Sequence, residues 1–256
     1  MEVIGDSNVQ IFMDTLDKSN NLKQTDWRVA KYYDVEALEK ISRNHQDQTG
    51  DIQISVSRED AFEAARRLKN QNKDKDVLVL NFANSISQGG GVRIGAKAQE
   101  EDLCRTSTLY QSLISEEAYP FYSYNRKNHL DETGSDTAVY SPYVYIIKDE
   151  NYQDIDPVKV SVLTMASPVR EAVANATEIL NRRIYKLLCL AENLGYNTLI
   201  LGAWGCGAFG NDPEDVADMF KNNLCKFKCF EHVIFAVKVV TERDKKNHQI
   251  FKETLE

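Results

Sequence analysis

Gly89-Gly90-Gly91 is followed, after seven residues, by Gln99-Glu100-Glu101. Three consecutive glycines leave no side chains in the way, so backbone N–H groups can approach an anion closely, as they do around phosphates. A carboxylic acid a few residues from such a cradle points to chemistry on a bond near a bound diphosphate. A second loop has the same character: Gly202, Gly205, Gly207 and Gly210 fall within Leu201-Gly202-Ala203-Trp204-Gly205-Cys206-Gly207-Ala208-Phe209-Gly210. With Gly89, Gly90, Gly91 and Gly95, these two short loops hold eight of the 12 glycines.

The elements around both loops explain how they could meet. Val77-Leu78-Val79-Leu80 reads as a buried strand running to Phe82. Asp102 to Tyr110 reads as a helix, so the first loop delivers its two Glu residues to a helix start. Ile52 to Val56 alternates like a strand, and Ser57-Arg58-Glu59-Asp60 resembles a capping box for a helix through Leu68. Residues 120–138 are polar, with Pro120 and Gly134, and read as a long surface loop. Strands are expected at 139–147 and 158–165, and a helix from Thr177 to Leu194 with one apolar face. The second glycine loop lies between a short strand, Thr198 to Gly202, and a helix capped by Asp212 with Pro213 at its first position. A last strand, 232–240, and a last helix, 243–255, close the chain. Strands alternating with helices imply an α/β sheet covered on both faces. In such sheets ligands bind outside the carboxyl ends of strands, where both loops lie.

At 256 residues the chain can form one large domain or two small ones. The first 50 residues, with apolar positions Val9, Ile11, Phe12, Leu16 and Trp27, read as a helical accessory segment packed on a main domain spanning 51–256. The N-terminus lacks a basic and apolar leader, and no apolar run is long enough to span a membrane, so a cytoplasmic protein is expected. The net charge of −8 argues against a broad grip on nucleic acid, but not against a local anion site made of amides. The five cysteines are odd in number and contain no CxxC, which argues against a disulfide framework. Cys225, Cys229 and His232 have no standard metal spacing and are expected to be buried structural residues. No GxSxG occurs, and His45, His129, His232 and His248 lie in no catalytic setting. Tyr122, Tyr124, Tyr140, Tyr143 and Tyr145 read as packing residues.

Three strings in order, LNFANSISQGGGVRIGAKAQEEDLCRTSTLYQSL (80–113), YSPYVYIIKD (140–149) and LILGAWGCGAFGNDPEDVADMF (199–220), resemble the microbial branch of the poly(ADP-ribose) glycohydrolases. The spacing GGG, six to eight residues, QEE is that family's signature. The resemblance covers roughly residues 50–240. It implies a macrodomain-like three-layer α/β/α fold with a mixed central sheet, preceded by an N-terminal helical extension. It also implies hydrolysis of the ribose–ribose O-glycosidic bond of poly(ADP-ribose), releasing ADP-ribose, with chain ends as the expected point of attack. By position in the motif, Glu101 would be the catalytic acid and Glu100 a neighbour orienting the substrate. Gln99 would also belong to the site. Gly89, Gly90 and Gly91 would lie along the diphosphate and distal ribose, and Asn84 would bind ribose hydroxyls. Gly205, Cys206, Gly207 and Ala208 would complete the diphosphate site, with Phe209 packing on the nucleotide. No cofactor and no metal is expected.

The residues fit such chemistry. A glycosidic bond breaks through an oxocarbenium-like transition state, and its leaving oxygen needs a proton. A carboxylic acid in a closed, partly apolar pocket has a raised pKa and can supply one, then act as base toward water. Adjacent helical residues point about 100° apart, so Glu100 and Glu101 cannot play equivalent parts. Two other readings remain open in the sequence: a mono-ADP-ribosyl hydrolase acting on a protein or nucleic-acid linkage, and a non-catalytic ADP-ribose-binding module. Gln99-Glu100-Glu101 speaks against the last, since binding alone requires no buried acid.

Overall fold

An apolar run with no polar face fits a strand covered on both sides. In the computed structural model, which describes residues 4–22 and 29–256, that run is β3, Leu78–Phe82. Leu78 and Leu80 join the apolar core on one face of the sheet, and Val79 joins the core on the other. This is the period-two alternation of a strand. Among the described residues seven strands form one mixed sheet. Their spatial order is β1 (Lys31–Tyr33), β4 (Ala138–Lys148), β5 (Asp154–Met165), β3, β6 (Thr198–Leu201), β7 (His232–Ala236) and β2 (Gln53–Ser57). The five strands from β5 to β2 run parallel, so their carboxyl ends emerge along one edge. β4 and β1 are antiparallel additions.

Helices cover both faces. Phe12 of α1 (Ile4–Asn21), Phe62 of α3 (Ala61–Gln71), Leu103 of α4 (Gln99–Thr106), Leu109 of α5 (Leu109–Leu113) and Phe121 of α6 (Tyr119–Lys127) share one core. Leu38 of α2 (Val35–Asn44), Leu180 of α7 (Ala176–Asn193), Phe220 of α8 (Pro213–Leu224) and Phe251 of α9 (Glu242–Leu255) share the other. The result is the three-layer α/β/α architecture with a mixed sheet.

The structure departs from the sequence reading in a few places. Residues 120–138 are not all loop: α6 occupies the first part, with Pro120 in its first turn, where a missing N–H does no harm. Phe121, Tyr122 and Asn125 are buried on it, a helical spacing hidden by the polar residues between them. The first 50 residues supply an edge strand, β1, besides helices. The capping box at α3 is Asp60 with Glu63, not Ser57 with Asp60. The helix after the first glycine loop starts earlier, at Gln99, and breaks at Ser107, which bridges to Ile146. Cys225 is exposed and Cys229 half-buried, and no group of three metal-ligating side chains occurs among the described residues. Tyr124 and Tyr143 are exposed rather than packed. Trp27 lies outside the described residues.

Candidate active site

The first glycine loop wraps around the protein's own carboxylates. Gly91 donates its backbone N–H to Glu101 Oε1 at 2.8 Å. Gly90 donates to the Ser87 carbonyl at 3.0 Å. Gly89 and Gly90 both have positive φ, 68° and 57°. A Cβ at Gly90 would collide with Glu101 Oε1 and stand 3.2 Å from Glu100 Oε2. The two carboxylates therefore flank one point, and only glycine leaves that point empty. The amides of Gly90 and Gly91, expected along a diphosphate, are already engaged inside the loop. Glycine is required here by the close approach of a carboxylate, which is why the GGG and QEE segments belong together.

Glu100 and Glu101 are both in the first turn of α4 and both buried, 2% and 7% exposed. Glu100 Oε2 accepts the Asn84 backbone N–H at 2.7 Å, and Oε1 accepts Asn81 Nδ2 at 3.2 Å. Glu101 Oε2 has no partner among the described residues. Gln99 lies between the helix start and β3: its Oε1 accepts the Phe82 N–H at 2.9 Å and its Nε2 donates to the Leu80 carbonyl at 2.7 Å. Expected to belong with the substrate contacts, Gln99 has both ends of its amide committed to the strand. Asn84 Oδ1 is likewise occupied, by the N–H groups of Ile86 and Ser87. Its backbone, rather than its side chain, reaches Glu100.

The second loop is arranged the other way round. Among the described residues, the N–H groups of Gly205, Gly207, Ala208 and Phe209 have no acceptor in the protein. The loop is held instead through its carbonyls: Phe209 O accepts from Arg170 N at 2.8 Å, and Gly205 O from Asn211 N at 3.0 Å. Cys206 departs from its neighbours. Its side chain is buried in the core and its N–H donates to Ala203 O, so neither faces outward. Trp204, within the same loop, is fully buried in the core.

A cleft of about 390 Å³ runs along the carboxyl edge of the sheet. Gly205, Gly207, Ala208 and Phe209 line it, together with Ala98 and Gln99 just ahead of the two Glu residues. The carboxylates, Asn84 and Gly89–Gly91 do not themselves line it; Glu100 and Glu101 follow directly on the lining residue Gln99. The far end is made by Phe82, Val237, Lys238, Val240 and Asn247, with Asp60 at the start of α3. Sequence reading gave these residues no role at a site: Phe82 stood only as a strand end within the first string and Asp60 only as part of a helix cap, and the others lie in no motif. Only the parallel order β3-β6-β7-β2 brings them together.

The family described as Microbial-type PARG, catalytic domain, matches residues 13–149. The chain is 31% identical to a poly(ADP-ribose) glycohydrolase from Thermomonospora curvata, with 98% of this chain and 100% of that chain covered and a TM-score of 0.89. A structure of the Thermomonospora curvata enzyme bound to the inhibitor ADP-HPD aligns at 31% identity over 97% and 99% of the two chains, TM-score 0.86. A Deinococcus radiodurans poly(ADP-ribose) glycohydrolase in complex with ADP-ribose aligns at 34% identity over 92% and 99%, TM-score 0.82. The comparison with curated proteins found no match. This chain belongs to the microbial-type poly(ADP-ribose) glycohydrolases. It is an enzyme, a glycosidase acting on poly(ADP-ribose), and its sheet and layers match the macrodomain-like fold of that family.

Within the glycohydrolase, burial pushes the Glu100 carboxyl up to about 8; the Asn84 amide and Asn81 side chain oppose this, and the nearby Glu101 charge adds to it. At neutral pH Glu100 is mostly protonated. The enzyme thus holds one neutral carboxyl and, beside it, a second carboxyl with a free oxygen. No helix among the described residues is long and apolar enough to cross a membrane.

Proposed function

We propose that this enzyme removes ADP-ribose from the ends of poly(ADP-ribose) by cleaving the ribose–ribose O-glycosidic bond, with Glu101 as the acid that protonates the leaving oxygen. The observation that carries the assignment is Glu101 itself: one oxygen pinned by the Gly91 amide, the other buried without a partner. Such a group has a fixed direction and an unfilled position for a substrate oxygen. When Glu101 carries a proton, it gives that proton to the departing ribose oxygen as the C–O bond breaks. The carboxylate left behind takes a proton from water as that water's oxygen joins the anomeric carbon. Glu100, neutral and tied to Asn84 and Asn81, is suited to hold a ribose hydroxyl. The free amides of Gly205, Gly207, Ala208 and Phe209 suit the diphosphate, with Phe209 against the nucleotide. Apolar Phe82 and Val237 suit the base.

The substrate is poly(ADP-ribose) or an ADP-ribosylated macromolecule, and the product ADP-ribose. The five free cysteines fit a reducing compartment, and we place the enzyme in the cytoplasm. Single-turnover release of ADP-ribose from poly(ADP-ribose) tests the mechanism. Glu101→Gln is expected to lose about 10²–10⁴-fold, the usual contribution of a general acid–base, while ADP-ribose still binds. Near-normal turnover in that variant would remove Glu101 from the chemistry. Release from mono-ADP-ribosylated protein but not from polymer would reassign the substrate.

A further inference from the structure

We infer that the hydroxyl of Ser167 is a ligand of the diphosphate, the side-chain member of a cradle otherwise made of backbone amides. This rests on the binding site proposed above. Ser167 follows β5 directly, two residues beyond Met165, at the same edge of the sheet as the second glycine loop. It is 3% exposed, yet it lines the cleft beside Gly205 and Gly207. Its Oγ is buried and has no hydrogen-bond partner among the described residues.

A buried hydroxyl without a partner loses the free energy of its hydration and gains nothing in exchange. At an apolar position alanine would be the better residue. The neighbourhood supplies the reason for a hydroxyl. A Cβ built at Gly205 would lie 2.7 Å from Ser167 Oγ, so the hydroxyl sits directly against the loop that carries the four amides without acceptors among the described residues. Gly205 has φ of 79° and no side chain, which keeps the space between them open. Asn211 fixes the spacing, because its Nδ2 donates both to the Pro168 carbonyl at 2.9 Å and to the Gly205 carbonyl at 3.3 Å. The Arg170 amide clips the same segment to Phe209. The post-β5 segment and the second loop are therefore joined, with one unpaired O–H and four unpaired N–H groups around the same opening. Only an acceptor can satisfy five donors at once, and an anion with several oxygens fits them best.

The test compares Ser167→Ala with wild type by calorimetry, using ADP-ribose, ADP and adenosine as separate titrants. Loss of one hydrogen bond to a charged group should weaken ADP-ribose and ADP by about 10-fold. Adenosine, which carries no phosphate, should bind both proteins alike. In turnover of poly(ADP-ribose), KM should rise and kcat hold, since the contact is made equally before and in the transition state. Equal affinity of both proteins for ADP would overturn the inference, leaving the hydroxyl as the partner of a bridging water. A matching loss for adenosine would also overturn it, because the hydroxyl would then be shaping the cleft rather than binding phosphate. Failure of wild type to bind ADP-ribose at all would instead overturn the binding site on which the inference rests. Ser167→Thr, which keeps the hydroxyl, should bind ADP more tightly than Ser167→Ala.

Discussion

Gly89–Gly91 and Gly205–Gly210 are rich in the same residue and follow parallel strands of the same sheet, yet their amides are committed differently. In the first loop the Gly91 N–H already holds Glu101, and the Gly90 N–H closes a turn on Ser87. In the second, four residues that line the cleft have N–H groups with no acceptor among the described residues. A glycine-rich loop therefore does not by itself identify a phosphate site. The first loop is glycine-rich so that a carboxylate can approach the backbone. The second carries amides that no acceptor among the described residues takes up, which is the basis for proposing it as the phosphate site. The distinction decides what each substitution should break.

Between the two loops, the largest expected effect is Gly90→Ala. The new Cβ would collide with Glu101 Oε1, at a position whose φ of 57° already disfavours a side chain. No catalytic group is removed, but Glu101 must move, and a misplacement of about 1 Å can cost 10²-fold in rate. Turnover of poly(ADP-ribose) should fall by about that factor while calorimetry finds ADP-ribose binding retained. If binding disappears and the rate with saturating substrate survives, the first loop is the phosphate cradle after all and the comparison is inverted.

A smaller effect concerns Glu100. Its folded pKa, about 8, lies above the unfolded value, about 4.3. The native state therefore binds more protons than the unfolded state between those values, and stability falls as pH rises through that window. The stability it contributes is complete below about pH 4 and lost as pH passes 8. Glu100→Gln removes the titration, so its melting temperature should change less between pH 5 and 9 than that of wild type. An identical slope in both proteins would mean that Glu100 ionises without penalty. The same variant should weaken ADP-ribose binding only slightly, because it alters the ribose-hydroxyl contact proposed for Glu100 and leaves the second loop untouched.

The fold was legible because its signals are local and repeated. The all-apolar β3, the one-sided α7, and Asp212-Pro213 at the start of α8 each announce an element without help from the rest of the chain. Glu100 and Glu101 were legible because the GGG–QEE spacing encodes a contact between the loop and the helix start. What escaped was non-local. α6 looked like a loop because Pro120 and its polar residues obscured a buried face whose partners, Ser85 and Ile86, lie 40 residues away: Asn125 Nδ2 donates to Ser85 O and Arg126 Nη1 to Ile86 O. Gln99 stood in the motif as a substrate contact, and no pattern could show that its amide is consumed by Leu80 and Phe82. The free amides of the second loop were legible as glycines, but which of them are free depends on Asn211 and Arg170 pulling the loop's carbonyls away from the cleft.

Gly207→Ala should give the smallest effect and completes the comparison, because it is the same substitution made in the other loop. Gly207 does not have a positive φ, and a Cβ there would meet no atom within 4 Å. The variant should therefore fold with an unchanged melting temperature, unlike one at Gly205, where the Cβ would strike Asn211 Nδ2 and Ser167 Oγ. The added methyl instead narrows the approach to the free N–H groups of Gly207 and Ala208. ADP-ribose and ADP should each bind about 10-fold less tightly, a change of about 1.4 kcal/mol. The rate with saturating polymer should hold, since Glu101 and its support at Gly91 are untouched. Gly90→Ala and Gly207→Ala would then be mirror images: chemistry lost with binding kept, and binding weakened with chemistry kept. A Gly207→Ala enzyme with full affinity for ADP would place the diphosphate away from these amides.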